Sequence, residues 1–100
     1  MAIADVALIG LDRSIPATEF LAEMLRRYGN DPKVTMELGG MGTTVEGPTD
    51  AVWKRIAEMH ELLFEMGLDN TYTIVKVHDY RKSEEMLTSA AKIAQVEAAM

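Results

Sequence analysis

The sequence predicts an α+β domain, because segments with the two-residue periodicity of strands are interspersed with segments that have the periodicity of helices. The chain has 100 residues, and we expect residues 1–100 to form one domain. Its composition is that of a globular protein, with 48% hydrophobic and 26% charged residues. A disordered or low-complexity chain is therefore excluded.

Each element has its own signal in the sequence. Residues 2–10 are almost wholly apolar, which is typical of a central strand buried on both sides. The two longer helices show continuous apolar stripes. We expect Pro16 in the first turn of the first helix and a cap from Thr49 or Asp50 at the start of the second. The predicted elements are a strand over 2–10, a helix over 17–28, strands over 33–38 and 43–46, a helix from about 50 to 66, a strand over 70–77 and a helix from Ser83, its expected N-cap, to about Ala98.

The order β-α-β-β-α-β followed by a C-terminal helix predicts the ferredoxin-like arrangement. In that fold a four-stranded antiparallel sheet has two helices on one face. The same architecture supports many unrelated functions, so function has to be argued from particular residues.

Charge and composition exclude several classes of function. The formal net charge is −6, whereas a generic nucleic-acid or anionic-membrane binder carries a net positive charge. The chain has no cysteine, which excludes disulfides, thiolate catalysis and cysteine-ligated zinc. No apolar stretch is long enough to span a bilayer, and the N-terminal residues lack the pattern of a signal peptide. We therefore expect a soluble cytoplasmic protein.

Catalysis and metal binding have weak support in the sequence. His60-Glu61 begins like a zinc-protease helix, but Phe64 stands where the second histidine is required. His78 and Asp79 are adjacent on a predicted strand, so their side chains point to opposite faces. The serines lack the context of a nucleophile elbow. We expect neither a metal site nor catalytic residues, and the protein is predicted not to be an enzyme.

Recognition of nucleic acid is also not expected, although some ferredoxin-like sheets bind RNA. Those sheets carry aromatic residues on their central strands, and the first and third predicted strands here have none. The glycines of Gly39-Gly40-Met41-Gly42 join two strands, so the segment is interpreted as a turn.

One run of residues is not explained by packing alone. On the strand that follows the glycine turn, Thr44 and Glu46 project from one face, and Thr43 and Val45 from the other. A hydroxyl beside a carboxylate is able to orient a small heteroaromatic or cationic ligand if the surface there is concave. The other interpretation is that both are solvated residues at the edge of the sheet.

The same run resembles a known family. Met41-Gly42-Thr43-Thr44-Val45-Glu46-Gly47, His60 and the segment Lys76–Lys82 are similar to the small thiamine-binding, YkoF-like family (UPF0045), with its signature Pro-Met-Gly-Thr-x-x-Glu-Gly. The resemblance covers nearly the whole chain. Gly40 stands where the family usually has proline, and the segment after the last strand matches only in part.

The resemblance implies a non-enzymatic protein that binds thiamine or its hydroxymethylpyrimidine moiety without a further cofactor. It also implies self-association, into a dimer by pairing of sheet edges and then into a tetramer. The alternative is a structural or regulatory oligomer with a vestigial pocket and no affinity for the vitamin. The expected ligand-binding residues are polar contacts from Thr43, Thr44 and Glu46, with Trp53, His60 and Tyr72 as stacking or edge partners.

Overall fold

A computed structural model of the chain describes residues 1–12, 14–81 and 88–100. It contains four strands and three helices in these residues, at nearly the positions that the sequence predicts. The elements are β1 (Ala2–Gly10), α1 (Ala17–Tyr28), β2 (Thr35–Leu38), β3 (Thr43–Gly47), α2 (Thr49–Glu65), β4 (Thr71–Asp79) and α3 (Ser89–Ala99).

The four strands form one sheet in the order β2-β3-β1-β4, and every neighbouring pair is antiparallel. This confirms the predicted α+β, ferredoxin-like βαββαβ fold with a C-terminal helix. β1 pairs with β4 along its whole length, from Ala2 to Gly10. Its pairing with β3 ends at Val6, opposite Thr43. The last four residues of β1 therefore have a partner strand on one side only.

The core lies between the sheet and the two helices α1 and α2. Val6 and Val45 of the central strands pack there with Met24 of α1 and Val52 and Met59 of α2, and all five are buried. The prediction that β1 is buried on both sides was wrong. Its even-numbered residues from Ala2 to Val6 are buried, but the residues between them are only half-buried, because α1 and α2 cover one face of the sheet.

The helix caps differ in detail from the prediction. Pro48 occupies the N-cap position of α2 without a side-chain cap, so the expected cap from Thr49 or Asp50 was wrong. The Thr49 hydroxyl instead donates to Asp79 Oδ1 at 2.9 Å and ties the start of α2 to the end of β4. Pro16 is likewise the N-cap of α1, one position before its first turn. The expected cap Ser83 lies outside the described residues, and α3 begins after Thr88, whose Oγ1 accepts from the Ala91 amide at 3.0 Å.

Two polar clusters fix the loops and the helix layer. Asp12 accepts from the Ser14 amide and, at 3.0 Å, from the Asp69 amide, so the β1–α1 and α2–β4 loops are joined. In the helix layer, Arg55 is almost fully buried and pairs with Asp31 at 3.0 Å. Its guanidinium also lies 4.6 Å from the centre of the Tyr28 ring. The first cluster thus joins two loops, and the second joins α2 to the end of α1 and to the loop that follows it.

Candidate functional site

The face of the sheet opposite α1 and α2, called the open face below, is divided into a polar half and an apolar half. Strand register brings side chains into rows across this face. The apolar half contains Ala7, Ile9, Tyr72 and Ile74. The polar half consists of two rows, the first of Thr35, Glu46, Ile3 and His78 and the second of Glu37, Thr44, Asp5 and Lys76.

The first turns of α3 lie over the polar half. The Ser89 amide donates to Glu46 Oε1 at 3.1 Å. One turn further on, Lys92 Nζ donates to Nδ1 of His78 at 2.6 Å. Since Glu46 is on β3 and His78 is on β4, these two contacts fix α3 across the central strand. No side chain of α3 is buried, so the rest of the helix extends away from the sheet.

A groove lies between the start of α3 and the strands β2 and β3. One part has a volume of about 420 Å³ and the adjoining part about 380 Å³, and Glu37, Thr44 and Ser89 line both. We call the two parts together the acidic groove, because Glu37 and Glu46 are the charged groups of its floor. Ile93 and Lys92 of α3 form its opposite wall. The groove thus combines the two carboxylates with the ammonium of Lys92, the hydroxyls of Thr35, Thr44 and Ser89, and several apolar side chains.

A second cavity, called the strand-end slot below, lies where β1 extends beyond β3. It has a volume of about 370 Å³ and is bounded on one side by Ala7–Ile9 of β1 and on the other by the turn Gly39–Gly42. A Cβ atom on Gly42 would lie 2.7 Å from Asp5 Oδ1, so the Asp5 carboxylate sits directly on this turn. A Cβ atom on Gly40 meets no atom within 4 Å. The further lining residues are Val6, Leu21, Leu38, Thr43 and Ile74.

The three strand residues Thr43, Thr44 and Glu46 are placed by the period of β3. Thr44 and Glu46 project from the same face of β3, as predicted, and both line the acidic groove. Thr43 points to the helix side, is only 2% exposed and lines the strand-end slot. Tyr72 is on the open face but in its apolar half, opposite Ile9 of β1, and is 56% exposed. The structure therefore brings together only Thr44 and Glu46 of the predicted ligand residues.

The remaining two predicted residues, Trp53 and His60, lie on α2 and hence on the other side of the sheet. His60 Nδ1 is 2.7 Å from the Thr73 hydroxyl of β4, and its ring meets that of Phe64 edge to face at 5.4 Å. Trp53 is 51% exposed on the same helix. Neither residue lines the acidic groove or the strand-end slot.

Sequence reasoning missed the contribution of α3. Ser89 and Lys92 reach the groove only because the helix crosses the sheet, and α3 is alanine-rich with little amphipathic pattern to indicate this. Among the described residues no group of three or more His, Asp or Glu side chains is placed to hold a metal ion. No helix in the described ranges has the length and hydropathy needed to cross a membrane.

The fold is ferredoxin-like with a groove beneath α3, and comparison with known proteins gives the family of the chain. Residues 5–97 match a family described as thiamine-binding protein, and the chain belongs to that family. This confirms the family resemblance of the sequence. The family is named for binding a ligand and not for catalysis.

Curated relatives agree with this assignment. The chain is 30% identical over 93 residues to the UPF0045 protein YqgV of Bacillus subtilis, covering 89% of each chain. It is 27% identical over 99 residues to a UPF0045 protein encoded in the glkA 3′ region of Staphylococcus xylosus, covering 95% of this chain and 92% of that protein.

Solved structures show the same fold. A hypothetical protein of Methanocaldococcus jannascii superposes with a TM-score of 0.73 at 25% identity and covers 96% of this chain and 95% of its own. A candidate thiamine biosynthesis/salvage protein of Thermotoga maritima superposes with a TM-score of 0.73 at 16% identity, covering 95% of this chain and 97% of its own.

Proposed function

We propose that this protein binds thiamine, or the hydroxymethylpyrimidine moiety of thiamine, without catalysing a reaction, and that it works as a homo-oligomer. The observation that carries the proposal is the convergence of Glu37, Thr44 and Glu46 on one groove beneath α3. Membership of a family described as thiamine-binding supports it. So does the fold shared with the candidate thiamine biosynthesis/salvage protein.

The chemistry of the acidic groove suits a cation with a polar ring. The thiazolium of thiamine carries a positive charge, and Glu37 and Glu46 offer carboxylates in a protein whose net charge is −6. Thr44 adds a hydroxyl that both donates and accepts. The volumes of about 420 and 380 Å³ fall within the range of roughly 300–1,000 Å³ that is typical of ligand cavities.

Self-association is proposed at the outer edge of β4. This nine-residue strand is at the end of the sheet, and none of the described residues pairs with its outer side. An exposed strand edge of this length is a template for pairing with another strand. We propose that β4 of a second copy pairs with it in antiparallel orientation, which gives a symmetric dimer with one continuous sheet.

The outer surface of α2 gives further support for an interface at the outer edge of β4. Trp53, Ala57, His60 and Phe64 follow a helical spacing of three and four residues and form one stripe. The contact of His60 with Thr73 of β4 shows that this stripe flanks the core on the β4 side. Trp53 is 51% and Phe64 40% exposed, so two aromatic anchors stand beside the free edge. Pairing of the β4 strands of two copies would bury the α2 stripe of one copy against that of the other.

The apolar half of the open face is proposed as the second contact of a tetramer. Tyr72 is 56% and Ile74 45% exposed there. On α3, Ile93 and Val96 are exposed as well. Two dimers that stack through their open faces would cover these side chains.

The proposal is tested by isothermal titration calorimetry of the purified protein with thiamine. We expect saturable binding by the natural protein and an affinity about 10-fold lower for Glu46→Gln, because the variant keeps the shape of the side chain but loses the negative charge that attracts the thiazolium. Glu61→Gln is the matched control, since Glu61 is exposed on α2 and lines neither cavity.

Two outcomes would contradict the proposal in different ways. Equal affinities of the Glu46→Gln and natural proteins would remove Glu46 from the site. The absence of heat with thiamine and with hydroxymethylpyrimidine, together with an unchanged melting temperature, would contradict ligand binding itself. A stable oligomer under those conditions would favour the alternative of a structural oligomer with a vestigial pocket.

A further inference from the structure

The end of β1 leaves backbone groups of the central strand without a neighbouring strand. The Leu11 amide donates to the Asn70 carbonyl at 2.9 Å, and the Tyr80 amide donates to the Met1 carbonyl at 3.1 Å. In an antiparallel ladder the direction of the backbone groups alternates with each residue. The odd-numbered residues of β1 therefore direct their N–H and C=O groups to β4, and the even-numbered residues direct theirs to the side of β3.

Leu8 is the first residue at which this side is open. The β1–β3 pairing ends at Val6 opposite Thr43, and the chain before Thr43 closes a tight turn in which the Gly39 amide donates to the Gly42 carbonyl at 2.8 Å. Among the described residues, neither the Leu8 N–H nor its C=O takes part in the β1–β3 pairing or in a backbone hydrogen bond of a turn, loop or cap. One donor and one acceptor thus face the strand-end slot side by side.

The walls of the slot are mainly apolar and come from both layers. Leu21 and Leu38 bound it on the helix side, and Ile74 bounds it on the open face. Thr43 is its only polar side chain among the described residues. A flat neutral ring that lies in the plane of the sheet would meet these apolar walls on its two faces and the backbone of Leu8 at its edge.

We infer that the strand-end slot holds the aminopyrimidine ring, with the Leu8 backbone as its hydrogen-bonding partner. The exocyclic amino group donates to the Leu8 carbonyl oxygen, and the adjacent ring nitrogen accepts from the Leu8 N–H. A donor beside an acceptor on the ligand matches an acceptor beside a donor on the strand. This inference rests on the proposed function and deepens it, since it assigns the two parts of thiamine to different cavities.

The two cavities are neighbours that share lining residues, so one ligand is proposed to use both. Leu38 and Gly39 line the acidic groove and the strand-end slot alike. The neutral ring then lies in the slot and the cationic ring in the acidic groove. It follows that Glu46 contributes to the affinity for thiamine, whereas the strand-end slot contributes to the affinity for both thiamine and free hydroxymethylpyrimidine.

The experiment is an NMR titration of the ¹⁵N-labelled full chain with hydroxymethylpyrimidine. We expect the Leu8 amide resonance to shift and its hydrogen exchange to slow by about 10-fold or more at saturation, because the ligand protects the N–H. Ala7→Leu places a larger side chain at the slot and is expected to lower the affinity for both ligands at least about 10-fold. Ala22→Leu, the same change on the exposed side of α1, is the control and keeps the affinity of the natural protein.

The results separate this inference from the proposed function. If hydroxymethylpyrimidine binds saturably while the Leu8 amide is unaffected, the slot is not the pyrimidine site and the proposed function stands. If neither ligand binds the natural protein and no amide moves, both proposals are wrong. Should Ala7→Leu fail to fold, the Leu8 amide of the natural protein decides the question by itself.

Discussion

At the scale of single residues, the glycines of β3 and its turn differ in what an added Cβ atom would meet. Gly47 ends β3, and a Cβ atom there would lie 2.6 Å from the carbonyl oxygen of Lys33, a backbone atom that cannot move aside cheaply. Gly42 allows the Asp5 carboxylate to lie on the turn. Gly40, in contrast, faces open space. An added Cβ atom would therefore meet fixed backbone at position 47, the end of the Asp5 side chain at position 42 and open space at position 40.

We predict that Gly47→Ala destabilises the protein by about 1–3 kcal/mol, because the added methyl group forces β3 away from Lys33 in a packed region. Gly40→Ala is the matched control and should change the free energy of unfolding by no more than about 0.5 kcal/mol. Urea denaturation followed by circular dichroism measures both. Equal stabilities of the two variants would show that the close approach of Gly47 to Lys33 has no energetic consequence.

At the scale of elements, β4 is the strand whose two edges have different roles. Its even-numbered residues bond to β1, as the contact between Tyr80 and Met1 shows, so the odd-numbered residues direct their backbone groups outward. Val75 is the middle one of these residues and lies opposite Val6. Its N–H belongs to the free edge and takes no part in the sheet of one chain.

We predict that Val75→Pro abolishes the dimer while the single chain still folds. Proline removes the outward N–H that edge pairing needs, and proline is tolerated on edge strands when its position faces outward. Val75→Ala retains the N–H and is expected to remain dimeric. Light scattering after gel filtration gives the mass, and the fluorescence of Trp53 should shift to the red in the monomer. A Val75→Pro dimer would place the interface elsewhere.

The elements were predictable from the sequence because the periods of strands and helices are local properties. The common face of Thr44 and Glu46 followed from the two-residue period in the same way. The position of α3 was not predictable, because it depends on two contacts made by Ser89 and Lys92 and not on a buried apolar face. Local pattern also could not reveal that Trp53 lies in the other layer from Glu46.

At the scale of the whole molecule, carboxylates bind the loops and strand ends together. The Asp69 and Ser14 amides hold the pKa of the Asp12 carboxyl well below its usual value. Arg81 and the Thr49 hydroxyl lower the pKa of Asp79, and the Lys33 amide and Arg55 lower that of Asp31. All three groups are therefore better stabilised as anions in the folded protein than in the unfolded chain.

A loss of stability in acid follows from the direction of these shifts. A folded pKa below the unfolded value of about 3.9 stabilises the protein fully above roughly pH 5, and this contribution is lost as the pH falls through the folded pKa. We predict that Asp12→Asn shows a smaller decline in melting temperature between pH 5 and pH 2 than the natural protein. The control Glu61→Gln should decline as the natural protein does. Parallel curves for Asp12→Asn and the natural protein would contradict the assigned role of Asp12.

The open space around Gly40 makes the protein suitable as a biosensor scaffold. The chain contains no cysteine, so Gly40→Cys would provide a single thiol for labelling. A Cβ atom at this position meets no atom within 4 Å, and the turn that carries it lines the strand-end slot. An environment-sensitive dye attached there would sit at the mouth of the cavity without disturbing the core. Its emission would then report directly on whether the cavity is occupied.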